Sequence, residues 1–215
     1  MIPEIQLAEI TKIDPAQIDL LDIPYEDGAL PNDQCRVLLA VLLEKRPKEV
    51  LEIGTYFGHT TCRMAHVSDA TIHTVDLPPM YNIAWKGYLT DFHLINRRPQ
   101  GGHLVRRTNN GRIVQHFADT MHWHFANAGE PSFFFIDGSH SYEAVKHDSA
   151  ECYQLCKGNG VFLWHDVAES HPGVVQLIEE WRALRRNVCR IAHTTLGYYD
   201  GTNRTARPAE RDQAP

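Results

Sequence analysis

Short unbroken apolar runs alternate along the chain with stretches whose apolar residues recur every three or four positions. The first pattern is that of a strand buried on both faces, the second that of an amphipathic helix. From Asp33 onward, Val37, Leu38, Ala40, Val41 and Leu42 form the apolar side of a helix ending near Pro47. Val50–Ile53 then predicts a buried strand stopped by Gly54, Thr60–Val67 a helix, and Thr71–Asp76 a β-branched strand broken by Pro78-Pro79. Arg112–Phe117, Phe133–Ile136 and Val161–Trp164 predict three more strands. Between the last two, Tyr142, Val145, Cys152, Tyr153 and Cys156 recur at helical spacing, closed by Gly158 and Gly160. Val174, Leu177, Ile178, Trp181 and Leu184 mark a further helix, and Val188–His193 with Leu196–Tyr199 predict a closing hairpin.

This alternation predicts a Rossmann-like, doubly wound, mostly parallel α/β sheet with a C-terminal antiparallel hairpin. Residues 1–32, broken by Pro3, Pro15 and Pro24, read as a helical or irregular extension. Residues 33–200 read as the main domain, and 201–215 as a polar, disordered tail. Residues 80–111 give the weakest pattern, with a helix expected near Ala84–Leu94 and a loop at Gly101-Gly102.

Composition narrows the classes. With 215 residues, 43% of them hydrophobic, the chain has enough apolar material for one large domain. Its 21 basic and 27 acidic residues argue against nucleic-acid binding, which relies on clustered positive charge. No apolar run is long enough to span a membrane. Met1-Ile2-Pro3-Glu4 shows no basic region before an apolar stretch, so no secretory signal is expected. Five cysteines without a CxxC pair read as reduced thiols, and a cytoplasmic location is expected. A homo-oligomer stays open.

Doubly wound sheets bind ligands beyond the carboxyl ends of their strands. Acidic residues stand at nearly all of these ends: Glu52, Asp76, Asp119, Asp137 and Asp166. The first strand-to-helix turn, Glu52-Ile53-Gly54-Thr55-Tyr56-Phe57-Gly58, is not a P-loop and lacks the third glycine of GxGxxG. Glu52 would repel a pyrophosphate but favour an ammonium group, and Asp76 is placed to accept from ribose hydroxyls. A ligand with a ribose, a cationic head and no phosphate satisfies both, and S-adenosylmethionine is such a ligand. Alternatively, Gly54 and Gly58 only shape a tight turn.

On these residues the chain resembles the class I S-adenosylmethionine-dependent methyltransferases, in particular the catechol O-methyltransferase-like branch and related sugar and natural-product O-methyltransferases. Val50–Thr61 is similar to that branch's first motif, Thr74-Val75-Asp76 to its ribose-binding strand end, Phe117–Thr120 to its adenine-side segment, and Phe134–Tyr142 to its fourth-strand motif. The resemblance spans about residues 33–200. It implies that Glu52 and Gly54, with Thr55, Tyr56, Gly58 and Thr60, serve the methionine end of the cofactor. Asp76 would serve the ribose, and Asp119 with Thr120 the adenine side. It also implies a divalent cation, magnesium or manganese, on Asp137, His165 and Asp166, and a small-molecule acceptor. Asp137 then touches cofactor, metal and chemistry together. The family commonly carries Asp followed by Asn or Asp where this chain has His165-Asp166. Imidazole suits manganese, iron, zinc or nickel better than magnesium. Either the ion differs, or His165 orients a water or acts as a base.

His140, where the catechol enzymes carry a catalytic lysine, is the candidate base, since an imidazole titrates near neutral pH. Glu143 and Asp148 read as the solvated face of the following helix. His122 and His124 flank Trp123, which is placed to cover an adenine. His93, His103, His116, His147, His171 and His193 follow no chemical pattern. Arg97-Arg98 and Arg106-Arg107, with Tyr81, Trp85 and Tyr88, could form an acceptor lid or an ordinary surface. Two other functions fit parts of the sequence. One is a metal-dependent hydrolase using Asp137, His140, His165 and Asp166; the other is an S-adenosylmethionine-binding module without catalysis.

Overall fold

Neighbouring residues in the central strands point into opposite layers, and that alternation organises the molecule. In the computed structural model, which describes residues 2–78, 102–108 and 110–203, eight strands form one sheet. They are β1 (Glu4–Ile5), β2 (Glu49–Ile53), β3 (Thr71–Asp76), β4 (Ile113–Phe117), β5 (Phe133–Ile136), β6 (Val161–Trp164), β7 (Cys189–Ile191) and β8 (Gly197–Asp200). Their spatial order is β1-β7-β8-β6-β5-β2-β3-β4. β8 runs antiparallel to β6 and β7, and the other pairings are parallel. The predicted doubly wound sheet with its closing hairpin is therefore the observed one.

Among the described residues the α-helices are α1 (Leu7–Ile10), α2 (Asn32–Lys45), α3 (His59–Val67), α4 (His103–Thr108), α5 (Tyr142–Leu155) and α6 (Pro172–Ala183). Val50, Phe133, Phe135, Val161 and Leu163 enter one core layer, with Leu38, Leu39 and Leu42 of α2. Leu51, Ile53, Phe134, Ile136, Phe162 and Trp164 enter the other, with Val145 of α5 and Leu177, Ile178 and Trp181 of α6. The period-two alternation of a strand produces this sorting, and the in-line register Val50↔Phe133↔Val161 keeps each layer continuous. Each such side chain, fully buried, contributes about 1.5–3 kcal/mol. In the second layer Phe134 stacks on Phe162 at 4.6 Å, and Trp181 meets Trp164 edge-on at 4.9 Å.

The N-terminal residues are tied to the domain. β1 pairs in parallel with β7, and Arg190 bridges back to Glu4. Further on, the Pro24 carbonyl lies 2.9 Å from Nε2 of His59, and the Asp27 carbonyl accepts from the Tyr56 hydroxyl at 2.8 Å. The expected extension thus supplies an edge strand and covers the first turn. On β8, Asp200 pairs with Lys45 of α2 at 2.8 Å. All five cysteines are free thiols. Among the described residues no helix is long and apolar enough to cross a membrane. The helix expected near Ala84–Leu94, the residues Tyr81, Trp85, Tyr88, Arg97 and Arg98, and most of the tail lie outside the described residues.

Candidate active site

β2 has β3 on one side and β5 on the other, so chain order reverses there and a crevice opens at the carboxyl edge. Gly54 occupies this point with φ +94°, donating its N–H to the Val75 carbonyl at 2.9 Å. A Cβ on Gly54 would sit 2.1 Å from the Asp137 carbonyl oxygen, so the close approach of two strand ends itself requires glycine. Gly58, at φ +95°, packs against Val105 of α4 in the same way. Tyr56 takes a left-handed φ of 51° that aims its N–H at Oδ2 of Asp76, 2.8 Å away. The Leu77 N–H donates to the other oxygen, Oδ1, at 2.7 Å.

Behind the turn runs a buried chain of hydrogen bonds. Gln115 donates to Thr55 (3.0 Å), the Thr55 and Thr74 hydroxyls pair at 2.7 Å, and Thr74 donates to Glu52 at 2.6 Å. Thr61 of α3 also donates to Glu52, while Thr60 is buried beside it. Glu52 is only 1% exposed, and burial, assisted by the Asp137 and Asp76 charges, pushes its carboxyl up to about 8 against its threonine bonds. It therefore holds a proton at neutral pH. Through its threonine bonds this carboxyl joins β2, β3 and α3.

Asp119 caps a one-turn 3₁₀ helix, Thr120–His122, accepting from the Met121 N–H at 3.0 Å. Nε2 of His147 lies 3.0 Å from the Thr120 carbonyl, and the Thr120 hydroxyl bonds Asp148. Asp148 is 1% exposed, and burial raises its carboxyl to about 7. The expected solvated face therefore holds for Glu143 but not for Asp148, which anchors the 119–120 segment to α5. Trp123 lies 5.1 Å from both His116 and Phe125, while His122 and His124 are exposed.

At the ends of β5 and β6 the side chains converge. Asp137 follows β5, its N–H bonded to the Ile53 carbonyl, and His165 extends the β6 ladder to the Ile136 carbonyl. Nδ1 of His165 is 3.0 Å from Oδ1 of Asp137 and 3.3 Å from Oδ2 of Asp166. Nε2 of His140 is 2.7 Å from the same Asp166 oxygen, and Nδ1 of His171 is 3.7 Å from the other. Burial opposes charge on His165, yet the two carboxylates prevail and raise it to about 10. Burial likewise opposes charge on Asp166, but its imidazole hydrogen bonds hold it well below the usual carboxylate range. Two groups have ligand atoms within 4.8 Å of one another: Asp137, His165 and Asp166; and His140, Asp166 and His171.

Four of the sequence-predicted residues, Asp137, His140, His165 and Asp166, thus meet in one cluster. His171 is an addition. It is the N-cap of α6, directly before Pro172 at the first helical position, and that X-Pro helix start after the β6 end is the signal that could have placed it.

A family model described as a methyltransferase domain matches residues 51–167, over half of the chain. No curated protein sequence is a significant match. Among solved structures, the O-methyltransferase NovP is similar with a TM-score of 0.56 at 15% identity, over 78% of each chain. A putative O-methyltransferase from Klebsiella pneumoniae gives 0.54 at 15% identity, over 90% of this chain and 99% of that one. The SAH-bound methyltransferase PaMTH1 of Podospora anserina gives 0.53 at 16% identity, over 80% and 79%. At these identities the likeness is one of fold.

Proposed function

Because the chain belongs to the methyltransferase domain family, we propose that it moves a methyl group from S-adenosylmethionine to a hydroxyl of a small molecule, assisted by a divalent cation. The observation that carries this reading is the packing of Gly54 against Asp137. It sets the first turn directly beside the Asp137, His165, Asp166 and His140 cluster, so the cofactor-binding turn and the acceptor-activating groups share one crevice.

The residues fit the cofactor. Asp76 accepts the Tyr56 and Leu77 N–H groups on separate oxygens, and its carboxylate would also accept from the ribose hydroxyls. Gly54, Thr55, Tyr56 and Gly58 would offer backbone at the methionine end, Thr55 and Thr60 having buried side chains. Asp119 and Thr120 would stand on the adenine side. A bound S-adenosyl sulfonium supplies an electrophilic methyl carbon, and this chain's part is to hold an acceptor in line with it.

The residues also fit a cation. Asp137, His165 and Asp166 offer two oxygens and a nitrogen within 4.8 Å of one another, a mixed set better suited to manganese or another transition ion than to magnesium. Bound there, a divalent ion lowers the pKa of a coordinated hydroxyl. His140, whose Nε2 lies 2.7 Å from Asp166, would take the acceptor's proton, and Asp166 would stabilise the imidazolium formed.

Calorimetry with S-adenosylmethionine and its demethylated product tests the reading. Both should bind, and a panel of hydroxyl acceptors should then show turnover. Metal binding with no affinity for either cofactor form would overturn it in favour of the hydrolase.

A further inference from the structure

Asp166 stands between two groups of ligand atoms, and the methyl-transfer reading uses only one of them. The second consists of His140, Asp166 and His171. Nε2 of His140 and Nδ1 of His171 approach opposite oxygens of the carboxylate, at 2.7 and 3.7 Å. One ligand atom from each of the three residues lies within 4.8 Å of the other two. The two imidazole rings lie 4.4 Å apart at 38° to one another.

The backbone fixes this arrangement before any ligand arrives. Gly173, in the first turn of α6, has no room for a Cβ, which would meet the His140 carbonyl at 2.5 Å and the Tyr142 nitrogen at 2.6 Å. The segment carrying His140 and the N-cap carrying His171 are thereby clamped together. Asp166 is held at a left-handed φ of 58°, with the Ala168 N–H on its own carbonyl and the next N–H, of Val167, on Thr195. The three side chains are between 10% and 20% exposed, which shields the donors from water yet leaves an approach.

We propose that His140, Asp166 and His171 form a second cation site, which takes a first-row transition dication of the zinc or ferrous type. Two imidazoles and one carboxylate are a borderline donor set that disfavours magnesium and calcium, which require oxygen ligands. Three protein ligands leave a coordination position for water. The site differs from the Asp137, His165 and Asp166 group in two of its three ligands. It has a consequence that rests on the proposed function. An ion on Nε2 of His140 leaves the ring's one proton on Nδ1 and no lone pair to accept another. Occupancy therefore withdraws His140 from proton transfer, and the site is inhibitory.

The test uses the full chain, stripped with chelator and titrated with Zn²⁺ and Co²⁺ by calorimetry and by the visible absorption of bound Co²⁺. The site corresponds to a binding event weakened at least about tenfold in His171→Ala and kept within about threefold in Asp137→Asn. His171→Gln, retaining a polar N-cap, should show the same loss, with circular dichroism confirming that each variant is folded. An event untouched by both His171 substitutions, one abolished by Asp137→Asn, or the absence of transition-ion binding overturns the site. Zn²⁺ should slow methyl transfer by the wild type at concentrations that leave His171→Ala active. Cofactor calorimetry on the same samples separates the two readings. Lost S-adenosylmethionine binding with the Zn²⁺ event intact refutes the function and leaves the site standing, while the reverse refutes only the site.

Discussion

The backbone N–H of Tyr56 donates to Oδ2 of Asp76 across 2.8 Å, joining the first βα turn to the end of the neighbouring strand. One carboxylate thus shapes the turn and, in the proposed function, would also serve the ribose. Asp76→Ala should weaken S-adenosylmethionine binding by about 10- to 100-fold, the loss expected for one charged hydrogen bond and a loosened turn. Asp76→Asn, which keeps an acceptor, should lose less. Equal calorimetric affinities for wild type and Asp76→Ala would contradict the assignment.

Glu52 gives the stability a defined pH dependence. Its carboxyl titrates at about 8 when folded against an ordinary 4.5. Between these values the folded chain keeps a proton that the unfolded chain has released. The group's contribution is fully present below pH 4.5 and is lost as pH rises through about 8. Urea denaturation from pH 5 to 9 should show the wild type losing ~2–4 kcal/mol more than Glu52→Gln over that window. Parallel curves for the two proteins would show that the proton is absent.

Gly173→Ala should destabilise the fold by about 1–3 kcal/mol, because its Cβ meets the His140 carbonyl at 2.5 Å. Gly111→Ala, with nothing within 4 Å of the added carbon, should stay within ~0.5 kcal/mol of wild type. Thermal unfolding of the two variants side by side measures the contrast, and similar midpoints would mean the clamp between α6 and the His140 segment is soft.

His140→Gln should lower kcat by about 10²–10⁴ while cofactor affinity stays near wild type, since the ring is assigned to proton transfer and not to holding the cofactor. Steady-state kinetics on any acceptor that the wild type turns over reads this directly. A raised KM with kcat unchanged would make His140 a binding residue instead.

Much of the fold was legible because its central strands are buried on both faces. Phe133–Ile136 and Val161–Trp164 announce themselves as continuous apolar runs, and both strands begin and end where those runs do. The acidic strand ends were legible for a related reason, as charge is costly inside a run and falls where the strand meets solvent. β1 was not, because two residues, Glu4–Ile5, carry no period and find their partners at Arg190 and Ile191 across nearly the whole chain. Asp148 looked solvated because a lone carboxylate on a helix usually is, and only the Thr120 segment packed over it makes it an interior acid. Glu52 is legible in its place but not in its state, since protonation depends on burial that sequence alone does not display. His171 carries no sequence pattern of its own because its partners, His140 and Asp166, come from two other loops.

The reversal of β8 sorts the molecule's negative charge by strand direction. Asp76, Asp137 and Asp166 leave parallel strands at one rim of the sheet, whereas Asp200, which also ends a strand, is paired in register with Val161 at the start of β6. It is carried to the opposite rim, where Lys45 neutralises it. A single antiparallel strand thereby lets the same residue type serve two purposes. One rim gathers carboxylates among imidazoles, a field that draws cations, while Asp200 is paired with Lys45 away from it.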